Sequence, residues 1–249
     1  MKFEKGAIFL ALCVVAHVTF EKIPEVFYLN VTSSLPRGLY MKIPYEEFQC
    51  GDYIVYEPSQ MRGRWSELAG GRPVYIEIGM GKGAFLMEQA KRHPDINYVG
   101  IEKYSSVLLR AVQKQEEAQL PNLRLIRMEA ENINDVFGEG EVKRIYLNFS
   151  DPWPKAAHAG RRLTSRQFLK RYDHILSDDG RIEFKTDNQE LFDFSLEEAA
   201  SEESSWEICK MTRDLHNDAE MMKDNIMTEY ENKFYNKGIK INKLIAIKK

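Results

Sequence analysis

The sequence is poor in cysteine and histidine and carries no excess of either charge. Cys13, Cys50 and Cys209 are its three cysteines and none stands in a C-x-x-C pair; the five histidines, His17, His93, His158, His174 and His216, are equally scattered. Such spacing excludes a disulfide framework and a structural zinc site, and it predicts a protein of the reducing cytoplasm that binds no metal. Lys and Arg number 35 against 38 Asp and Glu, a net charge of −3. Binding to nucleic acid through a global positive field is therefore excluded, and any such contact requires a local basic patch. Repeats and low-complexity stretches are missing as well, and 43% hydrophobic residues in 249 suffice for a full core, which excludes disorder as the main state. The apolar stretch 7–20, interrupted by His17 and Thr19 and preceded by Lys2 and Lys5, falls short of the roughly 20 residues that span a bilayer comfortably. It reads as a signal-peptide core, a marginal anchor making weak membrane contact, or a buried strand or helix, and its composition leaves these open.

What is present changes character near Pro58, where apolar, strand-like sequence gives way to the turn-rich MRGRWSELAGGRP. A boundary there divides the chain into an N-terminal extension, 1–56, and a domain, 57–249. In the domain, short apolar runs (74–78, 97–101, 123–126, 142–148, 181–185) alternate with longer amphipathic ones (84–92, 104–119, 165–176, 189–200). This alternation predicts a doubly wound α/β fold, a parallel sheet with helices on both faces, whose ligands gather at the C-terminal ends of the strands.

The first strand runs into Glu77-Ile78-Gly79-Met80-Gly81-Lys82-Gly83-Ala84 and a helix. Glycines let a ligand approach the backbone, and free amides at a helix start attract an anion. Gly79, Gly81 and Ala84 also satisfy G-x-G-x-x-G/A, so the loop alone admits both NAD and S-adenosylmethionine. Glu77 favours the second, because a carboxylate there holds an ammonium and repels a pyrophosphate. Glu102, ending the second strand, can accept both ribose hydroxyl protons, which either cofactor needs. Glu129, after the third strand, reads as a partner for an adenine amino group or as a solvated charge. The most distinctive string, Asn148-Phe149-Ser150-Asp151-Pro152-Trp153-Pro154-Lys155, follows the fourth strand. Two prolines stiffen a loop that presents Trp153, and Asp151 stands at the strand end beside the expected sulfonium. Arg161, Arg162, Arg166, Lys170 and Arg171 then follow with no acid among them, and with Lys155 they form a candidate phosphate patch.

The strings IEIGMGKG, INYVGIE, VKRIYLNFSDPWPK, HAGRRLT, FKTDN and NIMTEYE, in this order and spacing, resemble the bacterial tRNA (guanine-N7)-methyltransferases over about residues 57–249. The resemblance implies a class I, Rossmann-like methyltransferase that uses S-adenosylmethionine to methylate N7 of a guanosine in tRNA, guanine-46 of the variable loop. Carried onto this sequence, it implies cofactor contacts at Glu77, Gly79, Gly81, Glu102, Glu129 and Asp151, with Asp151 catalytic. It implies substrate contacts at Lys155, Asp187, Thr228, Glu229, Tyr230 and Glu231, while Arg161 and Arg162 are the expected RNA contacts. Glu129 stands where aspartate is common, which keeps the carboxylate and lengthens its reach. Ala156, Ala157 and Gly160 stand where the family carries more basic residues, so a reduced affinity for RNA is expected. An alternative from a different class is a catalytically idle RNA- or partner-binding protein with a membrane-proximal N-terminus.

Residues 1–56 do not match that family. The run Asn30-Val31-Thr32-Ser33-Ser34-Leu35-Pro36-Arg37-Gly38-Leu39-Tyr40, followed by Gly51-Asp52, resembles the start of the conjugative-transfer signal peptidases, with Ser34 at the place of their serine nucleophile. The lysine base of such enzymes comes from later strands, and here the methyltransferase-like sequence begins first, so the segment reads as an incomplete fragment. The expected location is the cytoplasm.

Overall fold

The computed structural model describes residues 27–30, 38–41, 62–65, 70–201 and 204–249. The chain divides into two compact units, Met1–Val55 and Tyr56–Lys249. In the first, β1 (Phe27–Asn30) pairs antiparallel with β2 (Gly38–Met41), Asn30 opposite Gly38. Ser34 and the apolar stretch 7–20 lie outside the described residues, and with them the peptidase-like site and the membrane contact read from the sequence. Among the described residues no helix is long and apolar enough to cross a membrane.

The second unit is built on a seven-stranded sheet. Its strands are β3 (Val74–Ile78), β4 (Asn97–Glu102), β5 (Leu123–Arg127), β6 (Val142–Asn148), β7 (Leu176–Thr186), β8 (Trp206–Thr212) and β9 (Asn242–Lys248), in the spatial order β5-β4-β3-β6-β7-β9-β8. The parallel strands β3 to β7 are the five that the alternation predicts. β9 enters antiparallel between β7 and β8, so the sheet is mixed rather than wholly parallel. The helices are α1 (Ala84–Arg92), α2 (Ser105–Ala118), α3 (Ile133–Val136), α4 (Arg166–Ile175), α5 (Gln189–Ala200), α6 (Ala219–Met222) and α7 (Glu229–Tyr235).

All five residues of β3 are buried, as a strand covered on both faces must be. Val74, Ile76 and Ile78 belong to the larger core, where Phe168, Leu169, Tyr172 and Ile175 of α4 and Leu191 and Phe192 of α5 pack on one face. Each such large side chain contributes about 1.5–3 kcal/mol by leaving water. Tyr75 points to the other face, with Phe85, Leu86, Met87 and Ala90 of α1, Tyr98, Tyr146 and Ile226. The indole of Trp65 closes the lower edge of the larger core, stacked on Phe137 at 5.2 Å and donating to the Val136 carbonyl at 2.9 Å. Glu141 accepts from the backbone N–H groups of Gly63, Trp65 and Gly138 and so ties that segment down.

β3 pairs with β4 on one side and β6 on the other. The strand order reverses at this point, and in open α/β sheets such a reversal makes the connections diverge and leaves a crevice at the C-terminal ends of the two strands.

Candidate active site

The turn after β3 forms one wall of the crevice. Gly79 and Gly81 adopt φ of +76° and +59°, a region that side chains with a Cβ rarely enter. The N–H groups of Gly79 and Met80 both donate to the Ile101 carbonyl, at 2.9 and 3.1 Å, binding the turn to β4. Met80 then lies against Gly100: a Cβ there would meet its Sδ at 2.2 Å and the Cδ2 atoms of Leu125 and Leu86 at 3.1 Å, so the glycine of INYVGIE makes room for the Met80 side chain.

Glu102 is 6% exposed and completes the turn. Its Oε2 accepts from Gly81 N–H at 3.1 Å and its Oε1 from Tyr104 N–H at 3.0 Å. Each oxygen keeps a second acceptor position for a hydroxyl proton. Glu77, beside it on β3, is 2% exposed. Its Oε1 accepts from Asn148 Nδ2 at 2.8 Å, while its Oε2 is buried with no hydrogen-bond partner. Burial pushes the Glu77 pKa up to about 8; the Asn148 hydrogen bond and the Lys185 charge oppose the rise and the Glu102 charge adds to it. A buried carboxyl with one open oxygen is a seat for a cation, since a positive partner both satisfies the oxygen and restores the charge. This donor set fits the amino-acid end and ribose of S-adenosylmethionine.

Behind that seat lies a buried pair. Lys185 Nζ donates to Glu231 Oε2 at 2.6 Å, and also to Asn225 Oδ1 and the Ile226 carbonyl, both at 3.1 Å. Burial holds the Lys185 ammonium below the ordinary lysine range, against the pull of Glu231. Glu231 is fully buried; its Oε1 accepts from Asn225 Nδ2 at 2.8 Å, with His216 Nε2 at 3.4 Å. Thr228 and Glu231 form a capping box: Thr228 Oγ1 accepts from Glu231 N–H at 2.9 Å, and Glu231 Oε2 from Thr228 N–H at 3.4 Å, fixing the start of α7.

The remaining residues lie nearer the surface. Asp151, Lys155, Glu129 and Glu229 are exposed, and Asp187 is half-buried in a turn held by Thr186 and Asn188. Tyr230, 60% exposed, stacks on Phe149 at 6.3 Å, so α7 and the loop after β6 meet there. Trp153 carries the Arg161 guanidinium 3.9 Å from its ring centroid and Lys103 Nζ at 5.9 Å.

The structure thus brings Glu77, Gly79, Gly81 and Glu102 together in one wall, and Thr228 and Glu231 together beneath α7. It divides the basic run. Arg161 and Lys170 are exposed, Arg162 turns inward to the loop carbonyls, Arg166 meets Glu198, and Arg171 donates to the Gln167 carbonyl of its own helix at 2.9 Å. Asn148 and Lys185 carry no role in the sequence reading, although both lie inside the quoted strings; the alternation around Lys185 gives no local sign that its face is covered. The T-x-x-E spacing of Thr228 and Glu231, the sequence mark of a capping box, was also passed over. Among the described residues no three His, Cys, Asp or Glu side chains stand together to hold a metal ion.

The part of the chain that builds this crevice is similar to known proteins. A family model described as "Putative methyltransferase" matches residues 71–244. A tRNA (guanine-N(7)-)-methyltransferase of Lachnoclostridium phytofermentans is 54% identical over 198 residues, 79% of this chain and 91% of that protein. Another, from Geobacillus thermodenitrificans, is 49% identical over 197 residues, 79% of this chain and 89% of its own. Among solved structures, the 16S rRNA methyltransferase KamB shares the fold with a TM-score of 0.55 at 15% identity, covering 80% of this chain and 98% of that one.

Proposed function

We propose roles for the crevice residues from one premise: this chain belongs to the tRNA (guanine-N7)-methyltransferases and transfers a methyl group from S-adenosylmethionine to N7 of a guanosine in tRNA. S-adenosylmethionine supplies the methyl group on a sulfonium cation and ends in an amino acid. The observation that carries the reading is the open, buried Oε2 of Glu77 beside the glycine turn, which receives the ammonium of that amino acid. Glu102 accepts the ribose hydroxyl protons with the lone pairs that Gly81 and Tyr104 leave open. Glu129, exposed at the turn after β5, reaches toward the adenine amino group.

Guanine N7 has a lone pair and no proton, so the chain needs no strong general base, and alignment lowers most of the barrier. Positive charge develops on the purine, where the Asp151 and Asp187 carboxylates stabilise it. Carboxylates also accept the guanine N1 and N2 hydrogens, which discriminates against adenine. Lys155 and Arg161 meet the RNA backbone. Thr228 and Glu231 act from inside, because their capping box and the Lys185 pair set the helix that presents Glu229 and Tyr230 to the substrate. By this reading the acceptor is guanine-46 of the variable loop, and the enzyme works in the cytoplasm.

Incubating unmodified tRNA with the full chain and isotope-labelled cofactor, then resolving the nucleosides by mass spectrometry, tests the proposal. Labelled 7-methylguanosine is expected, and it should vanish when guanine-46 is replaced by adenine. Label persisting in that transcript overturns the position, and a catalytically idle protein gives no labelled nucleoside at all.

A further inference from the structure

Two adjacent arginines of HAGRRLT face opposite ways. Arg161 is exposed and lies on the Trp153 ring. Arg162 is half-buried; its Nε donates to the Pro152 carbonyl at 3.0 Å and its Nη2 to the Trp153 carbonyl at 3.2 Å, while its guanidinium sits 4.3 Å from the Phe194 ring centroid on α5. The loop it grips holds its backbone in an unfavourable shape. Phe149 and Trp153 have φ of +53° and +42°, the left-handed region that a Cβ disfavours, and such a conformation persists only where its surroundings over-determine it. At its start the loop is tied to β7 by Phe149 N–H, which donates to the Lys185 carbonyl at 2.9 Å; further on Pro152 and Pro154 contribute no N–H, and the Pro152 and Trp153 carbonyls are what Arg162 grips. A planar fork with fixed donors suits two consecutive carbonyls; a single ammonium does not reproduce it.

We propose that Arg162 is a positioning residue that anchors the loop carrying Asp151 to α5, and that it is not a phosphate contact. The proposal rests on the reading that Asp151 acts at the reacting guanine. Through the Pro152 carbonyl, one residue beyond Asp151, the guanidinium sets where that carboxylate stands, and the Phe194 ring sets where the guanidinium stands. Arg161 is left as the outward-facing member of the pair.

Three variants of the full chain test this: Arg162→Gln, Arg162→Lys and Arg161→Ala. Acrylamide quenching of tryptophan fluorescence reports chiefly on Trp153, since Trp65 and Trp206 are only 4% and 1% exposed. Arg162→Gln should raise quenching and lower kcat by about ten- to a hundredfold, the scale of an ångström-sized misplacement, with affinity for uncharged S-adenosylhomocysteine and the salt dependence of tRNA binding unchanged. Arg162→Lys, which keeps the charge and one donor nitrogen but not the planar fork, should restore part of kcat and part of the shielding. Arg161→Ala should flatten the salt dependence by about 0.9 or less in log–log slope, the loss of one phosphate contact.

An Arg162→Gln slope that falls as the Arg161→Ala slope does makes Arg162 a phosphate contact and overturns the proposal. Unchanged quenching in both Arg162 variants overturns it directly, and the lysine variant keeps the test open if glutamine prevents folding. Raised quenching with normal turnover also overturns it, and Asp151→Asn tells which part fails: normal turnover in that variant removes the premise, and impaired turnover leaves the premise and removes the positioning role of Arg162.

Discussion

Glu229 and Glu231 stand two residues apart in one short helix and live in opposite conditions. Glu231 is fully buried, with Lys185, Asn225 and the Thr228 N–H on its oxygens. The Glu229 side chain is 59% exposed and forms long, solvent-exposed ion pairs with Lys82 at 3.9 Å and Lys114 at 3.5 Å. The same contrast divides the whole crevice. The wall of Glu77, Glu102, Asn148 and Lys185 is assembled in the free protein, and apart from Glu77 Oε2 its carboxylate oxygens and the ammonium are engaged. The rim of Asp151, Lys155, Arg161, Glu229 and Tyr230 is open to water. A small cofactor must find its partners dry and in place, because it cannot bring its own cover. A tRNA is large enough to cover the rim itself, so charges there remain solvated until it arrives.

The comparison breaks most visibly at Lys185. Lys185→Ala leaves the Glu231 carboxylate buried without its cation, and the expected loss is about 3–5 kcal/mol in urea unfolding, as for other buried pairs broken on one side. The double variant Lys185→Met with Glu231→Gln should recover much of that loss, because no charge is then stranded. A loss below about 1 kcal/mol in the single variant would mean that water reaches the pair and the wall is not preassembled.

Glu77 comes next. Replacing it with glutamine keeps the Asn148 contact and removes the anion, so cofactor binding should weaken by about 1.5–3 kcal/mol in isothermal titration. The pH dependence follows from the raised pKa. A carboxyl whose pKa is 4.5 when unfolded and about 8 when folded and ligand-free binds one more proton folded than unfolded between those values. Its contribution to stability is fully present below pH 4.5, falls as pH rises through that window, and is gone above about 8. A cationic ligand needs the ionised form, so between those limits its binding should release a proton, and Glu77→Gln should abolish the release. Titration at pH 6.5 in buffers of different ionisation enthalpy reads the proton count directly. No release in the native chain removes Glu77 from the ammonium seat.

How much of this was legible before the structure differs between wall and rim for physical reasons. β3 to β7 are apolar runs between turns, a local pattern, and Glu77 and Glu102 sit at strand ends, where an acid has no structural need to be. β8 and β9 carry mixed polar and apolar residues, WEICKMT and NKLIAIK, and their antiparallel pairing joins segments far apart in sequence. Lys185 was hidden by the alternation of Arg181, Glu183 and Lys185 with Ile182, Phe184 and Thr186, which reads as one solvated face. That face is covered at Lys185 by Asn225, Ile226 and Glu231, some forty residues further on. Arg162 was hidden inside a run of like charges, where nothing local distinguishes the arginine that turns inward from its neighbour.

Asp151→Asn probes the rim. It preserves size and one acceptor oxygen and removes a negative charge at an exposed loop, so folding should be little changed, and binding of uncharged S-adenosylhomocysteine should change less than binding of the sulfonium cofactor. If that charge stabilises the cation developing on guanine, kcat should fall at least about tenfold, or about 1.4 kcal/mol. Single-turnover rates with saturating tRNA isolate the effect from binding. Normal turnover would shift the electrostatic role to Asp187.

Glu229→Gln is expected to change stability least and therefore sharpens the comparison most. Its ion pairs with Lys82 and Lys114 are long and solvent-exposed, and pairs of this kind contribute about 0–1 kcal/mol before screening by salt. Thermal unfolding should accordingly move by no more than about 0.5 kcal/mol, within the range of ordinary surface substitutions. The variant nevertheless frees two lysines, one of them in the glycine turn, and removes an acid from the face that α7 presents to RNA. Nonspecific RNA affinity should rise slightly at low salt while turnover on tRNA falls, if Glu229 contributes an acceptor to the guanosine site. Unchanged turnover with a unfolding shift above about 1 kcal/mol would reverse its assignment, making Glu229 part of the preassembled wall rather than of the rim.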